Sequence, residues 1–222
     1  QGSEPGALQE MGLAMQMLGQ EGLPAPDAQQ LLRVMSVVLF RSRRHREALQ
    51  CARRALRRDY HDADMHAIMA ECFSELGELG KARNHYQRAM ERQRNRPEFG
   101  YGLASVLWRL GELRELRALL ERILRQDPAD DFATYYQALC LPQLGVPCER
   151  TIPALQEQLR RRGADLQLMQ ALGVEYLRAG LPELAEGWLR RTLQADPQQE
   201  GAWQALLEVY RRREDPEKLT QA

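Results

Sequence analysis

The chain has 222 residues, 44% of them apolar, and its 31 basic and 31 acidic residues cancel to no formal net charge. Such a composition belongs to a folded chain, and the even balance argues against a partner gripped by bulk electrostatics, whether nucleic acid or an anionic membrane. No apolar run approaches the ~18 residues of a membrane span. Only Lys81 and Lys218 are lysines, an arginine bias that points to a GC-rich, bacterial source. Cys51, Cys72, Cys140 and Cys148 form no C-x-x-C pair, which leaves a zinc or thioredoxin-like site little support. Free thiols of this kind fit a reducing compartment, and the expectation is a cytoplasmic protein.

Gln1-Gly2-Ser3 reads as the scar of a cleavable tag and is set aside. Beyond it the chain is periodic. Leu76-Gly77, Leu110-Gly111 and Leu144-Gly145 recur 34 residues apart, as do Ala14, Ala48 and Ala82. Pro26, Tyr60, Arg94 and Pro128 hold another phase, and Pro147, Pro182 and Pro216 a fourth. A period held in several independent phases marks a repeat architecture.

In chain order, residues 4–28 read as the second half of a repeat, with Ala14, Leu18 and Pro26 in place. Full units are expected at 29–62, 63–96, 97–130, 131–165 and 166–199, and a partial unit at 200–222. Both ends stop inside a unit, which reads either as a segment of a longer protein or as natural end caps. Residues 63–96 show the pattern best. Met69, Ala70 and Phe73 mark one apolar face, Gly77 breaks the chain, and Ala82, Tyr86 and Ala89 mark a second face. Spacings of three and four residues belong to an α-helix. The short turn makes the two helices antiparallel neighbours, and the small residues Ala70 and Ala82 are where they approach closely. In 131–165, Pro142 falls inside the first helix and should kink it. Pro153 stands where the second helix could start, with Thr151 as its cap and a longer connection over 145–150. In 166–199, Leu172-Gly173 and Tyr176 mark the first helix, Ala185 and Leu189 the second, and Pro197 the close. Trp203, Leu206 and Tyr210 repeat the first-helix pattern in the last unit.

This pattern resembles the tetratricopeptide repeat (TPR) family over nearly the whole chain. The resemblance implies an all-α fold, a right-handed superhelical solenoid of antiparallel helix pairs. It also implies that the first helix of each pair lines a concave groove that binds a segment of another protein. Carried onto this sequence, the groove places hold Arg33, Val37, Phe40 and Arg41, then Ala67, Glu71, Ser74 and Glu75, then Tyr101, Ser105, Trp108 and Arg109. Phe132, Tyr135, Leu139 and Gln143 follow, and then Gln170, Val174, Leu177 and Arg178. Tyr101, Trp108, Phe132 and Tyr135 would anchor a peptide, since aromatic groups dominate binding hot spots. Arg33, Arg41 and Arg109 would grip a carboxylate or carbonyl. The Lys and Asn clamp by which some members hold acidic chaperone tails is absent, because Arg33, Val37, Ala67 and Glu71 occupy its places.

The expected function is therefore a scaffold, adaptor or chaperone that binds a peptide segment, with no catalysis and no cofactor. Two alternatives stand beside it. The stretch 59–90 is loosely similar to class II chaperones of type III secretion, which are shorter arrays. A structural role, with self-association through the terminal repeats, is the other. The arginine run from Arg41 to Arg58 reads as a solvated outer helix face, and no aromatic residue interrupts it to stack bases. His61, Asp62, Asp64 and His66 could in principle hold a metal, but a helix cap at Asp62 or Asp64 is the simpler reading. No phosphate-binding loop, nucleophile elbow or H-E-x-x-H motif occurs.

Overall fold

The computed structural model describes residues 25–213 and divides the chain into two compact units between Glu112 and Leu113. The tag scar at 1–3, Ala14 and Leu18 of the leading half unit, and residues 214–222 lie outside the described residues. The described residues form eleven helices and no strand.

Unit 1 contains α1 (Ala25–Arg41), α2 (His45–Arg58), α3 (Ala63–Glu75), α4 (Leu79–Arg92) and α5 (Pro97–Leu110). Helices α1, α3 and α5 lie side by side, α2 packs against α1 and α3, and α4 against α3 and α5. The sequence explains the two layers. Met69, Ala70 and Phe73 of α3 and Ala82, Tyr86 and Ala89 of α4 are all buried, the two stripes expected from their spacing. Ala48, Ala52, Ala55, Ala70, Ala82 and Ala89 are shut off completely, so backbones approach where side chains are smallest. The chain turns through a left-handed residue at one phase of the repeat. Gly77 (φ 78°) and Gly111 (φ 72°) supply it without a Cβ clash, whereas Arg43 (φ 57°) takes the same place in the first hairpin.

Unit 2 contains α6 (Leu113–Gln126), α7 (Asp131–Gln143), α8 (Cys148–Arg162), α9 (Leu166–Arg178), α10 (Pro182–Ala195) and α11 (Glu200–Arg212). Helices α7, α9 and α11 lie side by side, with α8 and α10 packed against the pairs they bridge and α6 against α7. Asp130 and Asp165 cap α7 and α9, accepting from Ala133 N at 2.7 Å and Leu168 N at 3.0 Å, as Asp62 caps α3 from Met65 N at 3.1 Å. Such a cap supplies about 1 kcal/mol.

The irregular unit departs from the sequence reading. Helix α7 continues through Pro142 to Gln143, so the hydrogen bond that proline removes lies in the last turn, with little helix beyond it to displace. Helix α8 already begins at Cys148, so Thr151 is an interior helical residue and not the cap, and Pro153 lies inside the helix. The Thr151 hydroxyl instead donates to the buried carboxylate of Glu175 on α9. Arg178 completes this cluster. Its Nη2 reaches Glu175 Oε2 at 2.7 Å and the carbonyl of Val146, and its Nη1 reaches the carbonyl of Pro142 at 3.3 Å. The turn that holds Pro142 is thus fastened to α9 by one guanidinium.

Candidate functional site

The α1, α3 and α5 face of unit 1 encloses a pocket of about 430 Å³. Its apolar lining comes from Val34, Val37, Val38, Met65, Ala67, Ile68 and Phe99, with the ring of Tyr86 reaching it from α4. Helix α1 explains this. Leu32, Met35, Ser36 and Leu39 already form its buried stripe, so Val34, Val37 and Val38 widen the apolar face beyond what the core uses. Val34 stays 50% exposed and Val38 37%. Adjacent exposed apolar groups of this kind mark interaction sites more than chance surface does.

One end of the pocket is an ion network of two arginines and three carboxylates. Arg33 pairs with Asp62 at 3.0 Å and Asp64 at 3.1 Å, while Arg96 pairs with Asp64 at 2.7 Å and Glu98 at 3.5 Å. The Arg96 guanidinium also lies 4.6 Å from the Phe99 ring centroid. Glu71 stands in the same lining, and its carboxyl is held above the ordinary range by burial and then by Glu75 one turn on. Among the described residues no cation pairs with either glutamate. Tyr86 is pushed up as well, by burial and by the nearby Glu71 charge.

The expected groove residues therefore meet different fates. Arg33 and Val37 line the pocket, Phe40 is half-buried against the His45 ring at 5.5 Å, and Arg41 is exposed at the end of α1. Arg33 is held by two aspartates of its own unit, and Arg109 donates to the Ser74 carbonyl at 3.2 Å and hydroxyl at 2.7 Å. Tyr101 and Trp108 are half-buried on α5. In unit 2, Phe132 and Tyr135 both touch the ring of Tyr136, at 4.6 and 5.3 Å, a partner the sequence reading missed. Arg162 covers the Tyr135 ring at 4.3 Å, and its phenol faces Asp165 and Gln167. Burial and the Asp165 charge push that phenol up. Leu139 is a correction. At 3% exposure it belongs to the core of the α7 layer and offers nothing to a ligand, because its turn points inward. Leu177, at 6%, is buried likewise.

The four residues weighed for a metal separate. Asp62 caps α3 and holds Arg33, Asp64 joins the ion network, and His66 turns inward. His66 Nε2 lies 3.1 Å from the Tyr60 carbonyl and Nδ1 3.0 Å from Nδ1 of His85. The carbonyl requires a proton on His66 Nε2, so His66 Nδ1 accepts and His85 Nδ1 donates, with both rings neutral. Burial lowers both, His85 to about 4, helped by His66 and by Arg88 and Arg53. The unfolded chain takes up protons below pH ~6.5 that the folded one refuses. The pair's stabilisation is thus complete above ~6.5 and is lost as pH falls toward 4. Allowing for the partial exposure of His85, about 1–2 kcal/mol is at stake. Urea midpoints measured from pH 7 to 4.5 should fall more steeply for the intact chain than for His85→Gln, and parallel curves would refute the assignment.

Comparison with known proteins agrees with this architecture. Two tetratricopeptide repeat families match, one over residues 35–97 and the other over 73–140. The chain carries tetratricopeptide repeats. It is 25% identical over 127 residues to the TPR repeat-containing protein YsoA of Bacillus subtilis, which covers 53% of this chain but only 36% of that relative. Among solved structures, MamA from Desulfovibrio magneticus RS-1 superposes with a TM-score of 0.66 at 21% identity, over 78% of this chain and 97% of that one. YrrB, a TPR protein with an unusual peptide-binding site, gives 0.65 at 17% identity over 79% and 90%. PilF of Pseudomonas aeruginosa gives 0.65 at 15% over 88% and 89%. These likenesses are of fold. Tetratricopeptide repeat proteins are in general non-catalytic scaffolds for other proteins, and among the described residues no helix is long and apolar enough to cross a membrane.

Proposed function

We propose that this repeat protein is an adaptor whose unit 1 pocket holds a segment of another polypeptide. The observation that carries the reading is the open apolar lining of Val34, Val37, Val38 and Ile68, contributed by successive first helices of the repeat. A partner's leucine or phenylalanine buried there would contribute about 1.5–3 kcal/mol, enough to anchor a segment whose backbone the polar rim orients. YrrB, which shares the fold, binds peptide, and this supports the class of ligand. Tyr101, Trp108 and Arg109 on α5 and Phe132 and Tyr135 on α7 are further contact candidates, each on its own unit. Replacing Val34 and Val38 by aspartate alters two exposed positions and should leave helicity intact. Capture of the partner from lysate of the source organism should fall at least tenfold on that variant. Equal capture on both chains would move the site elsewhere.

A further inference from the structure

The polar groups around the pocket are not evenly matched. Both cations in the lining, Arg33 and Arg96, are paired with Asp62, Asp64 and Glu98. Among the described residues Glu71 has no such partner, although it lines the same apolar cavity. Its neighbour Glu75 is the last residue of α3, which carries no basic residue in its final turn. Two like charges four residues apart repel, and carboxylates at a helix C-terminus oppose the helix dipole. The free chain therefore bears a local cost that a glutamine would remove. Such breaches of local rules gather at functional sites. What would offset the cost is a cation brought in from outside, beside the apolar surface.

We propose, building on the pocket reading above, that the bound segment carries a lysine or arginine next to its apolar anchor, and that this cation pairs with Glu71 and Glu75 while the anchor lies on Val37, Val38 and Ile68. Arginine suits the place best, because its planar fork can span two carboxylates and its stem can cover valine. An acidic tail is disfavoured, since it would meet a carboxylate with no cation left to receive it.

The test is selection of a displayed library of random short peptides on the intact chain, on Glu71→Gln, on Glu71→Lys and on Val34→Asp/Val38→Asp. The intact chain should enrich peptides with a basic residue at a fixed spacing from an aliphatic or aromatic one. Glu71→Gln should unfold at a higher temperature than the intact chain yet bind the selected peptides about tenfold more weakly, the loss of one charged contact. Glu71→Lys should drop the basic preference altogether. Apolar peptides enriched with no basic preference, and equally on Glu71→Gln, would overturn the charge inference and leave the pocket reading standing. No enrichment on the intact chain, or enrichment indifferent to the valine substitutions, would overturn both.

Discussion

Arg178→Ala should destabilise unit 2 by about 1–3 kcal/mol, the cost of leaving a buried carboxylate short of a charged donor when the arginine itself reaches solvent. The reason lies in what the arginine leaves behind. Glu175 is 1% exposed, and among the described residues its carboxylate takes hydrogen bonds from the Thr151 hydroxyl and the Arg178 guanidinium. Without the arginine a charge stays in the core with one neutral donor. The carbonyls of Pro142 and Val146, which close the end of α7, lose a donor at the same time. Glu175→Gln in the same chain should recover part of the loss, because an amide is neutral and can still accept from Thr151. The coupling between the two positions should be about 1–3 kcal/mol. Urea unfolding followed by circular dichroism decides it. A loss below about 1 kcal/mol for Arg178→Ala would mean that water replaces the guanidinium and that the cluster is not structural.

Gly102→Ala should also destabilise, although alanine is the better helix former by about 1 kcal/mol. A Cβ at this position of α5 would stand 2.3 Å from Cζ of Tyr86, whose ring is buried against the helix backbone. The ring is rigid and 6% exposed, so it must swing toward the pocket it lines and give up its packing on α5, and overpacking of this kind costs about 1–3 kcal/mol. Tyr86 also lines the unit 1 pocket, so its displacement should weaken partner binding as well as lower the melting temperature. The sign should reverse in a Tyr86→Leu background. There the obstacle is gone and Gly102→Ala should be neutral or stabilising. A stabilising effect in the intact chain would show that the ring has room the geometry denies it.

Much of the fold was legible because repetition multiplies weak signals. Ala48 or Gly77 alone says little, but the same residue type at one phase of a 34-residue period defines hairpins, turns and the buried stripe together. The candidate site was less legible. Groove places can be assigned by helical phase, yet phase does not say what else a side chain touches. Arg33 and Val37 were placed where a ligand could reach them, and so was Leu139, which α7 turns into the core. Val34, Val38 and Ile68 went unremarked, although the surplus of valine on α1 was visible as an apolar face wider than one packing contact needs.

The sequence by itself determined the helix pairs, their antiparallel turns, an aspartate cap for α3 at either Asp62 or Asp64, and the absence of known catalytic motifs. These depend on residues within one turn or one hairpin, where spacing fixes geometry. Only the tertiary structure decided how charges pair. Arg33 meets Asp64 across 31 positions, Arg178 reaches Pro142 across 36, and among the described residues no cation pairs with Glu71. The physical reason is reach. A guanidinium on a long flexible stem can meet any carboxylate within several ångströms, so its partner is set by the packing of neighbouring hairpins and not by its place in the repeat.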